Sequence, residues 1–169
     1  MVIAENHDGH VYNWIMFERE TVEFVLRAID FYVSLLGDES RELAEDPDLA
    51  SLITDDTRRE LGLGRDKERA NRLRQWIKSK SEESGDSYHV DISMSHGTVR
   101  FIKAVSLLYL AKLKTKRNRL ASRPNVTTST LSALDREISR KEELFSSSGV
   151  FKNASPVQLL AEYESPRVF

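Results

Sequence analysis

Between residues 98 and 123 an almost wholly apolar run, residues 99–113, passes without a break into a strongly basic end. That end carries Lys112, Lys114, Lys116, Arg117, Arg119 and Arg123, with no acid among them. A helix this apolar must be covered along most of its length. Its charged end must project into water or against an anion. Ser95 or Gly97 is placed to cap the helix, and Pro124 stops it because the residue before proline is driven out of the helical region.

A second helix is expected from about Phe17 to Leu36. Its polar positions Glu20, Glu23, Arg27, Asp30 and Ser34 recur at three and four residues, and apolar residues fill the rest. With so narrow a polar stripe it lies either at the centre of a bundle or along one side of an oligomer seam. The row of Glu20, Glu23, Arg27 and Asp30 is read as that solvent stripe rather than as a carboxylate site.

Between these two helices the chain alternates in charge. Residues 38–60 hold nine acids against three bases, and residues 65–80 hold seven bases against two acids. Asp46-Pro47 starts a short helix, with Asp46 as cap and Pro47 at its first position, and Leu49, Leu52 and Ile53 give it an apolar face. The sequence Leu61-Gly62-Leu63-Gly64 reads as a hinge. Ala70, Leu73, Trp76 and Ile77 line one face of a basic helix over residues 65–80. Residues 79–87, SKSEESGDS, read as a polar loop. Residues 88–94 alternate with period two, but the rest of the sequence offers this strand no obvious partner, so the segment is taken as an extended lead-in.

The last major helix is capped by Thr127, Thr128 or Ser129. Its Leu131, Leu134, Ile138 and Phe145 fall at heptad positions a, d, a and a, with Lys141 at the missing d. It is expected to pack antiparallel to the long helix. The tail holds a short helix capped by Ser155, with Pro156 first and Val157, Leu159, Leu160 and Tyr163 behind. So short a helix is unstable alone and must dock on its own domain or on another protein.

The expected fold is therefore all-α: a single irregular bundle of four or five main helices with a short C-terminal docking helix. Residues 1–16 form a lead-in without helical periodicity, residues 17–145 the bundle and residues 146–169 the tail. With 40% hydrophobic and 31% charged residues and a formal charge of -2, the composition belongs to a folding chain.

Chemistry-bearing motifs are missing from the sequence. With no cysteine there is no thiolate nucleophile or thiolate metal site, and a reducing cytoplasm is the default compartment. The start MVIAENHDGH has no basic and apolar signal regions, and no apolar run reaches the roughly 18–20 residues that cross a bilayer. There is no G-x-S-x-G elbow, no phosphate-cradling glycine loop and no arginine four to six residues before a histidine. His89, Asp91 and His96, or His7, Asp8 and His10, match no established metal-ligand spacing. Asp135, Glu137, Glu142 and Glu143 place acids where a helix-turn-helix reader would meet phosphates.

The expectation is a non-enzymatic helical interaction protein, without cofactor or metal, acting as an adaptor or regulatory subunit and self-associating in a cytoplasmic assembly. Its partner sites are the basic patch of Lys112, Lys114, Lys116, Arg117, Arg119 and Arg123 and the tail's Val157, Leu159, Leu160 and Tyr163. The patch also suits acidic protein, including the chain's own residues 38–60. The alternative is nucleic-acid association through residues 65–80 and 112–123. On this reading Lys116→Glu with Arg119→Glu spares folding and abolishes partner binding.

Overall fold

The computed structural model describes residues 2–7, 10–36, 45–63 and 66–147, with backbone alone for residues 2–7, 10–14 and 63. The chain is predominantly helical, as expected, and a small sheet accompanies the bundle. In order the elements are β1 (Val2–His7), β2 (His10–Glu18), α1 (Arg19–Leu35), α2 (Pro47–Leu52), α3 (Asp55–Leu63), α4 (Lys67–Glu83), β3 (His89–Ser95), α5 (His96–Ala121) and α6 (Thr128–Ser147).

Helix α5 is the hub. It packs against α1, α2, α3 and α6, while α4 lies on α1 and touches β3. Both long apolar helices are covered by their own chain: Val25, Ala28, Ile29 and Tyr32 of α1 and Ile102, Val105 and Leu108 of α5 are buried. Of the two places open to the first helix, it takes the centre of the bundle. The two helices run antiparallel, because Phe24 meets Tyr109 at 6.0 Å between ring centroids while Tyr32 meets Phe101 edge-on at 5.3 Å. Tyr109 also touches Phe31 at 6.0 Å, so one ring packs against two positions of α1 spaced two turns apart.

The caps form where the sequence places them. Asp46 Oδ1 accepts from the Leu49 amide at 3.0 Å, Ser95 Oγ from the Thr98 amide at 3.2 Å, and Thr127 Oγ1 from the Thr130 amide at 3.3 Å.

The sheet is the main departure. Its order is β1-β2-β3, with both pairings antiparallel. Residues expected to be a lead-in form strands, Phe17 lies in β2 rather than in the first helix, and residues 88–94 have a partner after all: β2, with Phe17 opposite Val90 and Ile15 opposite Ile92. Ile15, Phe17, Val90, Ile92 and Met94 are buried on one face, whereas Met16, Glu18, His89 and Asp91 point outward. No loop separates β2 from α1 or β3 from α5.

Two further corrections concern breaks in the chain. The expected hinge is helical as far as Leu63, so Gly62 sits within α3, where a Cβ would meet nothing within 4 Å. Gly62→Ala is therefore expected to stabilise the fold by about 0.5–1 kcal/mol, read as a higher melting temperature. The expected polar loop is helix α4 as far as Glu83, and the turn follows only at Gly85, whose φ of 57° favours glycine. Arg19 fastens that turn, donating to the Ser87 carbonyl at 2.9 Å, the Gly85 carbonyl at 2.6 Å and Ser81 Oγ at 3.0 Å. At the other end of α1, the buried Tyr32 hydroxyl donates to the Leu61 carbonyl at 3.0 Å and ties α3 to the core.

Candidate functional site: the basic end of the long helix and the groove beside it

The basic cluster on α5 is largely answered by the protein's own acids. Arg117 donates through Nε to Asp135 Oδ1 at 2.8 Å and through a terminal nitrogen to Oδ2 at 3.3 Å, a forked pair across the α5–α6 seam. Lys114 pairs with Glu142 one layer further along. Arg119 lies 2.7 Å from Oδ2 of Asp46, a carboxylate only 5% exposed. No aligned hydrogen bond reaches that oxygen, so the contact is ionic, while Oδ1 holds the α2 cap. Lys112 is half-buried with its ammonium 5.9 Å from the Phe31 ring centroid. Lys116 and Arg123 are exposed and form no ion pair among the described residues.

Three of the six predicted contact cations thus have partners on α6 or at the start of α2. The sequence showed the segregation of charge, and Asp46 is the point where the acidic segment meets the basic end. The second basic run is not packed beside the first, since α4 lies on α1 and β3. It is partly paired as well: Arg74 with Asp30, Lys80 with Glu83 at 3.0 Å, and Arg72 with Glu68 at 3.8 Å. The ring of Trp76 packs against the core under Lys80, 4.6 Å from its ammonium, which leaves no free stacking platform there. Of the residues considered as metal ligands, His89 and Asp91 lie exposed on β3 while His96 is buried at the start of α5. The tail residues Val157, Leu159, Leu160 and Tyr163 lie outside the described residues.

The polar row on α1 also forms ion pairs. Arg140 of α6 holds Glu20, and this guanidinium keeps the Glu20 carboxyl below the usual carboxylate range. Arg117 does the same for Asp135 by hydrogen bonding. A carboxyl whose pKa is lower in the folded state stabilises fully above its unfolded value, and that contribution is lost as pH falls through the folded value. The melting temperature is expected to hold from neutrality to about pH 5 and to fall below about pH 4. Asp135→Asn should flatten part of that acid limb in melts followed by circular dichroism. Both pairs are solvent-exposed, so salt should shrink the effect.

Beside the basic end lies a groove of about 370 Å³ formed by three helices. Leu52 of α2 forms one side, Leu107, Leu110 and Ala111 of α5 the floor, and Phe145 of α6 the other side, with the Lys114–Glu142 pair across one end. Leu52 is 47% exposed although it is a large aliphatic residue on a helix whose neighbour Leu49 is fully buried. Such a surface can take apolar side chains and orient them against a charged rim. The sequence placed Leu52 and Phe145 on apolar faces but did not bring them together. Among the described residues no helix is long and apolar enough to cross a membrane. Comparison with known proteins returns nothing: no family model, no curated protein and no solved structure matches this chain.

Proposed function

We propose that the protein is a non-enzymatic interaction module, an adaptor or regulatory subunit of a larger cytoplasmic assembly, that takes a short amphipathic helix of a partner protein into the groove between α2, α5 and α6. The observation that carries this reading is Leu52, a leucine nearly half exposed over an apolar floor and beside a charged pair. A helix presenting apolar residues at three- and four-residue spacing meets such a floor. The cytoplasmic setting rests on the absence of cysteine. Self-association has less to support it, because both central helices are covered by their own chain.

Affinity purification with mass spectrometry tests the reading when the wild type is compared with Leu52→Glu. The wild type is expected to retain a defined partner and the variant to lose it, at an unchanged melting temperature. Identical partner sets, or none from either protein, would count against the groove. The rival reading, nucleic-acid association, has Lys116 and Arg123 of the basic patch without an ion pair among the described residues. It requires a gel shift that weakens steeply between about 50 and 200 mM salt.

A further inference from the structure

One carboxylate holds helix α2 in two ways at once. Asp46 caps the helix through Oδ1, which accepts from the Leu49 amide at 3.0 Å, and meets Arg119 through Oδ2 at 2.7 Å. The Asp46 side chain is buried, so its charge depends on that guanidinium. The helix it starts is six residues long, packs mainly on α5 and buries Leu49 fully. Its far end is held separately, by Arg58 donating to the Ala50 carbonyl at 2.9 Å. A helix this short does not persist in water once it loses its cap and its seat. Asp46 therefore couples the basic end of α5 to Leu52, which α2 carries into the groove wall.

This tether is looser than its neighbour. Arg117 grips Asp135 with two aligned hydrogen bonds, at 2.8 and 3.3 Å, whereas no aligned hydrogen bond reaches Oδ2 of Asp46. The Arg119 side chain is 55% exposed, so its planar fork of donors is open to an acceptor of better shape. Lys116 stands a turn before it on the same side of α5 and Arg123 a turn after, both exposed, the latter with its amide on the Leu120 carbonyl at 3.1 Å. A monovalent salt ion only screens such a row, while an anion with several charged oxygens reaches all three cations together. We infer that a small multivalent phosphate binds Lys116, Arg119 and Arg123 and thereby releases α2, which unwinds and takes the Leu52 wall out of the groove. The step is an exchange of partners: phosphate takes the guanidinium, the Asp46 carboxylate turns to water because it cannot stay buried without a cation, and the Leu49 amide loses its acceptor. This inference rests on the groove being the contact surface and adds how that surface is regulated. By linkage, phosphate and a partner helix weaken each other's binding by the same factor.

Hydrogen exchange of the full chain, followed amide by amide with and without sodium tripolyphosphate, tests the inference. With about 1 mM tripolyphosphate the Leu49 and Ala50 amides are expected to exchange about tenfold or more faster, while the Val105 and Leu108 amides in the middle of α5 keep their rates. Sodium chloride at the same ionic strength is expected to leave α2 protected, and an equal acceleration by chloride would reduce the effect to screening and overturn the site. Arg119→Gln is expected to open α2 without phosphate and to make it indifferent to phosphate. Lys116→Gln with Arg123→Gln is expected to keep α2 protected and to lose most of the response. Protection that tripolyphosphate leaves unchanged in the wild type, or that survives Arg119→Gln intact, would overturn the latch. Acceleration of α2 and α5 together would assign the effect to global unfolding and overturn it equally. These measurements need no partner, so their failure leaves the groove to the partner-capture comparison at Leu52, and failure of that comparison leaves the exchange result standing.

Discussion

Leu108→Asp is expected to leave the chain unfolded, with no cooperative melt. Leu108 is 1% exposed at the middle of α5, where that helix is enclosed by α1, α3 and α6. An aspartate there loses about 1.5–3 kcal/mol of burial and adds a carboxylate without a partner. The combined cost, several kcal/mol, is comparable with the whole stability of a domain of this size, about 5–15 kcal/mol. Far-ultraviolet circular dichroism decides it; a sigmoidal melt within a few degrees of wild type would show that α5 is not the hub described above.

Arg119→Glu and Lys116→Glu are expected to part company, although the sequence presents them as two members of one patch. Lys116 is exposed and forms no ion pair among the described residues, so its reversal should fall within about 0.5 kcal/mol of neutral. Arg119 faces the buried Asp46, and its reversal sets a carboxylate against a carboxylate that also caps α2. Breaking a fully buried pair costs about 3–5 kcal/mol; with the arginine side chain 55% exposed, solvent screening brings the expected loss to about 1–3 kcal/mol. Urea titration of the two single variants measures the difference. The sequence-based expectation that the double variant spares folding is thus revised: any loss of binding in it would be mixed with a loss of stability that originates at Asp46. Lys116→Glu alone is the clean surface probe.

The parts of the fold visible in the sequence are those set by neighbours within a few residues. Period and caps gave the long helices, with Asp46, Ser95 and Thr127 in the roles assigned to them, and the hairpin-like return of α6 along α5 followed from the short stretch around Pro124. The β2–β3 pairing joins residues 73 positions apart, Phe17 with Val90, and no local pattern reports such a pairing. The run Ile15-Met16-Phe17 also hides its alternation, because the outward Met16 is as apolar as its inward neighbours. Trp76 was legible as core from its spacing with Leu73 and Ile77, and it packs there. The groove was half legible: Leu52 and Phe145 fall on apolar faces in the sequence, but the groove joins α2, α5 and α6, which only the packed chain brings together.

The loop-free joins at Glu18-Arg19 and Ser95-His96 also bear on the order of events during synthesis. Strands β1 and β2 can pair as soon as they are made, yet the inward face of β2 and the α5-facing side of α1 have nothing to rest on until β3 and the helix fused to it are delivered. Contacts between such distant stretches close slowly, and the greasy surface of the first helix stays open in the meantime. A ribosome-bound chain halted before residue 95 would accordingly be a client for holding chaperones, and release of that client would mark the moment at which the fifth helix seats itself.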